Sequence, residues 1–303
     1  MTELTVLQQK MAAFEAACVL KFNEPMSKHT SFHIGGNAEV MAFPNNEEQL
    51  AEVLRMAADL GQVPAILGAG TNVLAPDAGV PGVVICLKDC LDGMELLEGN
   101  RILVMAGVTM TRAAVFAANH GLGGMEFAHG IPGTIGGGVF MNAGAYGGEM
   151  KDIVENVEIM DFEGNIHVFT NEEMGFSYRH SVLEGKQLIV LSATLRLNTE
   201  ETETVKAKMR ELQAKRSASQ PLDLPSAGSA FKRPVGGYAA ALIDGAGLKG
   251  YRVGDAAIST KHAGFAVNLG AATAADVRNL LQQVSDIVFE KSGIRLEPEV
   301  RIW

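Results

Sequence analysis

The chain has 303 residues, a length that favours about two domains. Its hydrophobic content of 47% suits a folded protein with a sizeable core and excludes an intrinsically disordered chain. Lys and Arg number 25 against 35 Asp and Glu, and the formal charge of −10 argues against a general nucleic-acid-binding protein. The charge is uneven, since residues 1–200 carry a net −13 and residues 201–303 a net +3.

The sequence shows neither a membrane segment nor an export signal. No apolar run approaches the roughly 18 residues of a membrane-spanning helix, and Lys10 and Glu15 interrupt any apolar core of a signal peptide. The three cysteines are too few for a disulfide framework, and no second pair or nearby histidine completes a metal site with Cys86 and Cys90. We therefore expect plain thiols, Cys18 included, and a cytoplasmic protein that binds no membrane.

Helices and strands alternate in the predicted secondary structure of the first two thirds of the chain. An amphipathic helix over residues 1–20 is indicated by helical spacing of Leu4, Leu7, Met11, Phe14 and Cys18. Extended structure is expected over residues 29–43, and residues 161–165 form the turn of a hairpin. The remaining elements are helices over 46–60 and 109–120 and strands over 63–67, 72–74, 82–87, 101–106, 153–160, 166–169 and 187–197.

The composition changes near residue 198, where the chain becomes polar and basic, and we place a domain boundary there. Thr273 as N-cap and Gly293 as stop signal delimit the longest helix of the second part. The elements predicted beyond the boundary are a helix over 199–217, strands near 252–258 and 265–268, a helix over 273–291 and a strand over 294–302. This alternation in both parts indicates an α+β or α/β architecture.

A first glycine loop, Gly68-Ala-Gly-Thr-Asn72, follows a predicted strand. Backbone N–H groups of such a loop can bind a phosphate oxygen, so a pyrophosphate is one possible occupant. A dinucleotide fingerprint of the Rossmann type is excluded, because Val73 occupies the third glycine position and no helix begins there. A tight turn between two strands is the alternative.

A second glycine segment, residues 130–148, holds eight glycines in 19 residues. It is too apolar for a linker and too rich in glycine for an ordinary helix. Such a backbone suits close approach to a large flat ligand, and Gly133-Thr134 is positioned to begin a short helix that meets a phosphate. Packing of backbone on backbone is the alternative, and it accounts for only some of these glycines.

Five motifs occur in order along nearly the whole chain, from about residue 29 to 301. They are Gly68-Ala-Gly-Thr-Asn72, Gly130-Ile-Pro-Gly-Thr-Ile-Gly-Gly137 with Met141-Asn-Ala-Gly-Ala-Tyr146, Ser177-Tyr-Arg179, Ala227-Gly-Ser229-Ala-Phe-Lys232 and Leu296-Glu-Pro-Glu-Val300. Together they resemble the UDP-N-acetylenolpyruvoylglucosamine reductase family. Without a long insertion before its helix at residue 199, the chain is similar to the shorter second subtype of that family.

The resemblance implies an α+β fold with two parts. One is an FAD-binding domain of the vanillyl-alcohol-oxidase (PCMH) type, made of two α+β subdomains, and the other is a C-terminal α+β substrate-binding domain. The implied bounds are 1–20 for the N-terminal helix, 21–198 for the FAD-binding domain and 199–303 for the substrate-binding domain. The last strand is expected to return to the active site.

The activity that the resemblance implies is reduction of UDP-N-acetylglucosamine-enolpyruvate to UDP-N-acetylmuramate, a step of peptidoglycan precursor synthesis. FAD is the implied bound cofactor and NADPH the co-substrate, with no metal, no nucleic acid and a monomeric enzyme. Two alternatives stay open. The first is another FAD-dependent oxidoreductase of the same fold, and the second is a nucleotide-binding module without catalysis.

Three catalytic residues are implied by the resemblance. Arg179 would hold the substrate carboxylate and stabilise the enolate-like intermediate, since a guanidinium grips a carboxylate with two hydrogen bonds. Ser229 would donate the proton to carbon, and Glu299 would assist the charged intermediate or its protonation. Glu297, two residues earlier on the same predicted strand, is the alternative candidate for the role of Glu299.

The implied binding residues fall into two sets. FAD contacts are expected from Gly68, Ala69, Gly70, Thr71, Asn72, Gly133, Thr134, Gly137 and Asn142. Substrate contacts are expected from Tyr178, Lys215, Lys232, Arg233 and Arg301, with Arg216, Tyr251 and Lys261 as further candidates. His129, His180 and His262 are interpreted as structural or substrate-adjacent rather than as metal ligands.

Overall fold

The computed structural model describes residues 4–13 and 18–303. Within them the chain forms seven α-helices and three short 3₁₀ helices, the latter at Met26–Lys28, Glu126–Ala128 and Met150–Asp152. The α-helices are α1 (Val6–Ala13), α2 (Glu47–Asp59), α3 (Met110–Asn119), α4 (Ile135–Phe140), α5 (Thr202–Ser219), α6 (Ala239–Gly245) and α7 (Ala274–Ser292).

Strands of two to nine residues account for the remaining regular structure of the described chain. Up to residue 123 they are β1 (Val19–Pro25), β2 (Asn37–Phe43), β3 (Ala65–Leu67), β4 (Val73–Leu74), β5 (Val80–Cys86), β6 (Met94–Leu97), β7 (Arg101–Met105) and β8 (Leu122–Gly123). Beyond it they are β9 (Gly144–Ala145), β10 (Gly148–Glu149), β11 (Val154–Asp161), β12 (Ile166–Thr170), β13 (Leu188–Arg196), β14 (Asn198–Thr199), β15 (Ser226–Ser229), β16 (Arg252–Val253), β17 (Ala256–Ile258), β18 (Phe265–Asn268) and β19 (Arg301–Ile302).

The chain divides into two compact units, each made of three segments. The first comprises the described residues up to Phe22, Glu39–Ala69 and Gly82–Lys215, and the second comprises Asn23–Ala38, Gly70–Pro81 and Arg216–Trp303. The division differs from the boundary expected at residues 198 and 199. Most of α5 belongs to the first unit because its Val205 and Met209 are buried in the first core.

The first unit is organised around an antiparallel sheet of five strands in the order β12-β11-β13-β7-β6. A second sheet has the order β1-β2-β5-β3, in which β3 and β5 run parallel. Strand β13 is buried along almost its whole length, and α2, α3 and α4 contribute apolar faces to the same core. The core therefore lies between helices and two sheets, as in other α+β proteins.

The second unit has its own sheet and its own core. Strands β15, β18, β17 and β16 form an antiparallel sheet in that order, and β19 pairs with β4 in parallel. Helix α7 buries one face, including Val277, Leu281 and Val288, in a core that also contains Phe32 and Leu74. The early segments of the chain are thus integral to this unit.

Three helices begin at capping residues that the sequence shows directly. Asn46 accepts a hydrogen bond from Gln49 N at 2.8 Å to begin α2, and Thr109 accepts one from Arg112 N at 3.3 Å to begin α3. Thr273 and Asp276 form a capping box at the start of α7. These side chains satisfy N–H groups that a helix leaves without an internal partner.

The N-terminal helix is shorter than the predicted range of residues 1–20. Within the described residues α1 spans Val6–Ala13, and Val19 already begins β1, while the expected contribution of Phe14 lies outside the described residues. The helix packs on the first unit, because Met11 is buried in the first core.

Two further expectations about strands are wrong. The final strand predicted over 294–302 is reduced to β19, because Pro298 has no N–H for a regular ladder. No strand was predicted over residues 226–229, yet they form β15, whose partner β18 is distant in sequence.

Candidate functional site

The two glycine segments meet within the first unit at Gly68 and Thr134. A Cβ added to Gly68 would lie 2.7 Å from Thr134 Oγ1, so only glycine allows this approach. Thr134 is buried, and its hydroxyl accepts a hydrogen bond from Gly137 N at 3.3 Å to cap α4. The short helix expected at this position is therefore present, and it begins beside the first glycine loop.

Protein packing accounts for most of the eight glycines in residues 130–148, all of which the structure describes. Gly130, Gly133 and Gly147 have φ between +89° and +151°, where other residues are strained. A Cβ on Gly136, Gly138, Gly144 or Gly148 would lie 2.6–3.0 Å from a neighbouring atom. Gly137 is different: it is exposed, and a Cβ would meet nothing closer than Thr134 Oγ1 at 3.6 Å. Backbone packing thus explains more of this segment than we expected, and it leaves Gly137 unexplained.

The first glycine loop is divided between the two units after Ala69. Gly70 has φ +62°, and a Cβ there would collide with the carbonyl oxygen of His29. Asn72 is half-buried, donates from Nδ2 to the Glu299 carbonyl at 3.2 Å, and accepts at its own carbonyl from Arg301 N at 3.0 Å. This end of the loop consequently holds the C-terminal segment of the second unit.

Ser229 ends strand β15 immediately after a β-bulge. Ser226 pairs with Val267 and Ser229 with Phe265, so β15 carries one residue more than β18 over this stretch. Gly228 supplies the φ of +76° at the bulge. A bulge re-aims the side chain that follows it, and Ser229 is left exposed.

Glu299 lies opposite Ala230, the residue after Ser229, because the two surrounding segments pair with each other. Glu299 N donates to the Ala230 carbonyl at 2.9 Å, and Lys232 N donates to the Glu297 carbonyl at 2.9 Å. The Phe231 and Pro298 backbones form the bridge between these two bonds. The structure therefore brings Ser229 and Glu299, two of the three expected catalytic residues, onto adjacent backbone segments.

Glu297 and Glu299 differ in their surroundings. The Glu297 side chain is 69% exposed and pairs with Lys232 Nζ, whereas Glu299 is half-buried and its backbone is bound on both sides by Ala230 and Asn72. A carboxylate held in place by its backbone is better suited to act on a bound molecule than one engaged in an exposed ion pair. This favours Glu299 over Glu297.

Arg179 lies in the first unit, in a tight turn between Ser177 and His180. The turn is closed by reciprocal backbone hydrogen bonds of 3.1 Å between those two residues, and Arg179 adopts a positive φ of +55°. Its guanidinium lies 5.1 Å from the Tyr178 ring centroid, and Nη2 is 3.5 Å from the Gly144 carbonyl oxygen. Tyr178 is 51% exposed.

Asn142, expected to contact FAD, is fully buried, and its side chain is bound by protein groups. Nδ2 donates to Glu149 Oε2 at 2.7 Å and to the Ser177 carbonyl at 3.0 Å, and Oδ1 accepts from Lys151 N at 2.9 Å. A contact with FAD stays a prediction. The hydrogen bond from Asn142 to the Arg179 turn was missed by sequence reasoning.

The cationic residues expected to meet substrate have varied surroundings. Lys215 Nζ contacts Glu211 at 2.6 Å on α5, and this hydrogen bond raises the lysine pKa. Lys261 Nζ donates to the Ser217 carbonyl at 2.6 Å. Arg233 stacks over the Tyr238 ring with its guanidinium carbon 4.0 Å from the centroid. Lys232 is paired with Glu297, as described above.

Two of the three candidate histidines, His180 and His262, are bound by neighbouring protein groups. Burial lowers the pKa of His262, whose Nδ1 accepts from Gly264 N at 3.1 Å, and His180 pairs with Glu184. Burial also raises the pKa of Cys90 to about 11, so that its thiol is protonated at neutral pH. Residues 4–13 and 18–303 contain no group of three His, Cys, Asp or Glu able to hold a metal ion.

Comparison with known proteins identifies the family. A model described as the FAD binding domain matches residues 38–170, and the C-terminal domain of UDP-N-acetylenolpyruvoylglucosamine reductase matches residues 220–303. A relative from Caldanaerobacter subterraneus subsp. tengcongensis, named UDP-N-acetylenolpyruvoylglucosamine reductase, is 48% identical over 283 residues, 93% of either chain. The chain belongs to the UDP-N-acetylenolpyruvoylglucosamine reductase family.

Other members of the family agree over similar lengths. The reductase from Limosilactobacillus fermentum is 43% identical and covers 93% of this chain and 94% of its own. The crystal structure of the Thermus caldophilus reductase is similar with a TM-score of 0.80 and 37% identity, covering 94% of this chain and 98% of that one. The expected α+β fold with an FAD-binding domain is confirmed. In the described part of the chain, no helix has the length and apolar character needed to cross a bilayer.

Proposed function

We propose that this chain binds FAD and reduces UDP-N-acetylenolpyruvoylglucosamine to UDP-N-acetylmuramate with NADPH as the reductant, in peptidoglycan precursor synthesis. Family membership supports the substrate class, and the arrangement of Ser229 and Glu299 supports the chemistry. We further propose a monomer that acts in the cytoplasm.

The surroundings of Gly68 and Gly137 fit FAD. The two glycine segments adjoin at Gly68 and Thr134, so one elongated ligand is able to touch both. Gly137 is exposed without a steric reason in the protein for its being glycine, which suits a group outside the chain in that space. We infer that Gly68, Ala69, Gly133, Thr134 and Gly137 contact FAD.

Reduction of an enolpyruvyl ether needs a hydride at the terminal vinyl carbon and a proton at the carbon next to the carboxylate. Bound FAD, once reduced by NADPH, supplies the hydride, which no side chain can provide. Arg179 grips the substrate carboxylate, because its permanent charge and paired donors match that group and stabilise negative charge developing beside it.

Ser229 donates the proton in this proposal. A serine hydroxyl is a weak acid, but an enolate-like carbon is basic enough to take its proton when the two are well aligned. Its exposed position after the bulge leaves Oγ accessible. Glu299 stabilises the charge distribution around this proton transfer. The pairing of residues 230–232 with 297–299, which joins the segments that carry Ser229 and Glu299, is the observation that supports the proposal.

Substrate contacts are proposed for the remaining expected residues. They are Tyr178 and the positively charged Lys215, Lys232, Arg233 and Arg301. Positive side chains of this kind suit the diphosphate of a UDP-sugar. Asn72 and Thr71, which belong to the divided glycine loop, complete the proposed FAD set together with Gly70.

An anaerobic experiment tests the function. Purified protein is expected to be yellow, NADPH is expected to bleach the flavin, and UDP-N-acetylenolpyruvoylglucosamine is expected to restore the colour. Reoxidation by O₂ but never by that substrate would reject the reductase and favour another flavin-dependent oxidoreductase. Colourless protein that releases no flavin on denaturation would reject both.

A further inference from the structure

Asn142 occupies an unusual position for a ligand-binding side chain. It is fully buried, its φ is +44°, and each polar atom of its amide has a protein partner. The Nδ2 group uses its two hydrogens on Glu149 Oε2 and on the Ser177 carbonyl, and Oδ1 accepts from Lys151 N. The hydrogen-bonding capacity of this amide is largely spent inside the first unit.

The Ser177 carbonyl belongs to the turn that carries Arg179. This carbonyl also closes the turn by accepting from His180 N at 3.1 Å. Two residues after Asn142, the Gly144 carbonyl lies 3.5 Å from Arg179 Nη2. The segment that begins at Asn142 therefore contacts the Arg179 turn at its backbone and at the guanidinium.

We propose that Asn142 is a positioning residue for Arg179, acting through the Ser177 carbonyl rather than by direct contact with FAD. The inference rests on the proposed function, because it needs Arg179 to bind the substrate carboxylate. A residue with a positive φ in a tight turn is held there by its surroundings, and a buried amide supplies such a restraint. Misplacing a catalytic group by about 1 Å costs on the order of 10²-fold in rate.

An amide-carboxylate exchange targets the bond to Ser177, with E149Q alone as the control for loss of the ion pair between Lys151 Nζ and Glu149 Oε1, which are 2.6 Å apart. In N142D both donated hydrogen bonds are lost, and the new carboxylate faces Glu149. The double variant N142D/E149Q restores the bond between positions 142 and 149, because the amide introduced at position 149 can donate to the carboxylate at position 142. The Ser177 carbonyl still lacks its donor in the double variant. Asparagine and aspartate tolerate positive φ similarly, so the backbone is not disturbed.

Asn171 provides a matched control. It is another amide that donates twice from Nδ2 to backbone carbonyls, to Lys151 O at 2.9 Å and to Val154 O at 2.7 Å. Neither carbonyl belongs to the Arg179 turn. N171D therefore makes the same chemical change in the same unit without removing the bond to Ser177.

The experiment measures flavin content and both half-reactions by anaerobic stopped flow. We expect N142D/E149Q to bind FAD and to be reduced by NADPH like the parent, while reoxidation by UDP-N-acetylenolpyruvoylglucosamine slows by about 10- to 100-fold. N171D is expected to retain the parental rate in both halves. In the R179K background, N142D/E149Q should add little further loss, because Arg179 and Asn142 act as one unit.

Three outcomes would overturn the inference. They are a parental reoxidation rate in N142D/E149Q, full additivity of its effect with R179K, and loss of FAD or of NADPH reduction in both N142D/E149Q and N142G. The last outcome would mean that Asn142 serves FAD binding or folding. N142G is included as a second variant because glycine keeps the positive φ at position 142. Failure of the proposed function gives a different result. In that case the parent protein would show no reoxidation by UDP-N-acetylenolpyruvoylglucosamine, or R179K would leave the rate of that reoxidation unchanged.

Discussion

The Thr134 hydroxyl lies directly against the backbone of Gly68, 2.7 Å from where a Cβ on that residue would be. We predict that Gly68→Ala lowers the free energy of unfolding by about 1–3 kcal/mol, because the added methyl displaces the hydroxyl that caps α4. Thr134→Ala alone is expected to cost about 1 kcal/mol. In the Gly68→Ala background the same threonine substitution should cost much less, since the clash disappears with the hydroxyl. Denaturant unfolding of the parent, both single variants and the double variant checks this, and strict additivity would contradict it.

Gly137→Ala separates ligand binding from packing. The methyl would meet no protein atom closer than 3.6 Å, and alanine in a helix is about 0.5–1 kcal/mol better than glycine. We expect an equally or more stable protein whose Kd for FAD rises about tenfold or more, measured by flavin fluorescence titration.

Gly136→Ala is the control for that measurement. Its Cβ would lie 3.0 Å from the Cβ of Ala106, so here stability is expected to fall. Parental FAD affinity in Gly137→Ala would show that no part of the cofactor approaches this residue.

Ser229→Ala should slow one half-reaction of the catalytic cycle and leave the other unchanged. We predict that NADPH still reduces the flavin at the parental rate, because Ser229 takes no part in that half. The substrate half-reaction should slow by roughly 10²–10⁴, the range for a positioned proton donor. Stopped-flow absorbance of the flavin follows both steps, and equal losses in the two would assign the serine to folding or FAD binding.

Glu299→Gln and Glu297→Gln are expected to behave differently. The first removes a charge from a half-buried side chain on the segment that pairs with the end of β15, and it should slow the substrate half-reaction. The second removes only an exposed ion pair with Lys232, and such pairs contribute little to stability. Steady-state kinetics of both variants, with thermal unfolding as a folding check, distinguishes them. A larger loss in Glu297→Gln would reverse the assignment.

Asp161 should make the free energy of unfolding depend on pH in the acidic range. Burial favours a raised pKa, but hydrogen bonds from His167, the Asn165 side chain and Asn165 N lower the pKa of this carboxyl to about 2. Because the pKa of Asp161 is lower in the folded than in the unfolded protein, its ionised form stabilises the fold. This contribution to the free energy of unfolding is complete above the pKa of the unfolded chain, near 4, and is lost as the pH falls toward 2. Asp161→Asn is therefore expected to cost about 1 kcal/mol at pH 7 and almost nothing near pH 2.

Calorimetric unfolding across this pH range provides the measurement for Asp161. Glu163→Gln is the matched control, because Glu163 contributes its backbone N–H to the same turn, at 3.1 Å from Asp161 Oδ1. A cost in Asp161→Asn that stays constant from pH 7 to pH 2 would contradict the prediction.

Elements governed by local chemistry were predictable from the sequence. Asn46, Thr109 and Thr273 each cap the helix that they were expected to begin, and Gly293 ends α7 with a φ of +72°. These ends depend on hydrogen bonds within three or four residues, which a single sequence displays directly.

Features that depend on distant partners were not predictable. The bulge before Ser229 exists only because β15 pairs with β18, and the burial of Asn142 depends on Ser177, 35 residues away. The site residues Arg179, Ser229 and Glu299 were named through family motifs, and nothing in the local pattern gave the pairing of 230–232 with 297–299. The pairing of the segments that carry Ser229 and Glu299 therefore required the structure.

The assembly of the second unit from three separated segments fixes an order of events on the ribosome. The buried members of the first core end at Met209, so that core can close while the last third of the chain is still being made. Phe32, Ile34 and Leu74 emerge early, yet the other buried side chains of their own core lie between Ala227 and Val300. At typical elongation rates of about 5–20 residues per second, these apolar groups therefore lack their core partners for on the order of ten seconds.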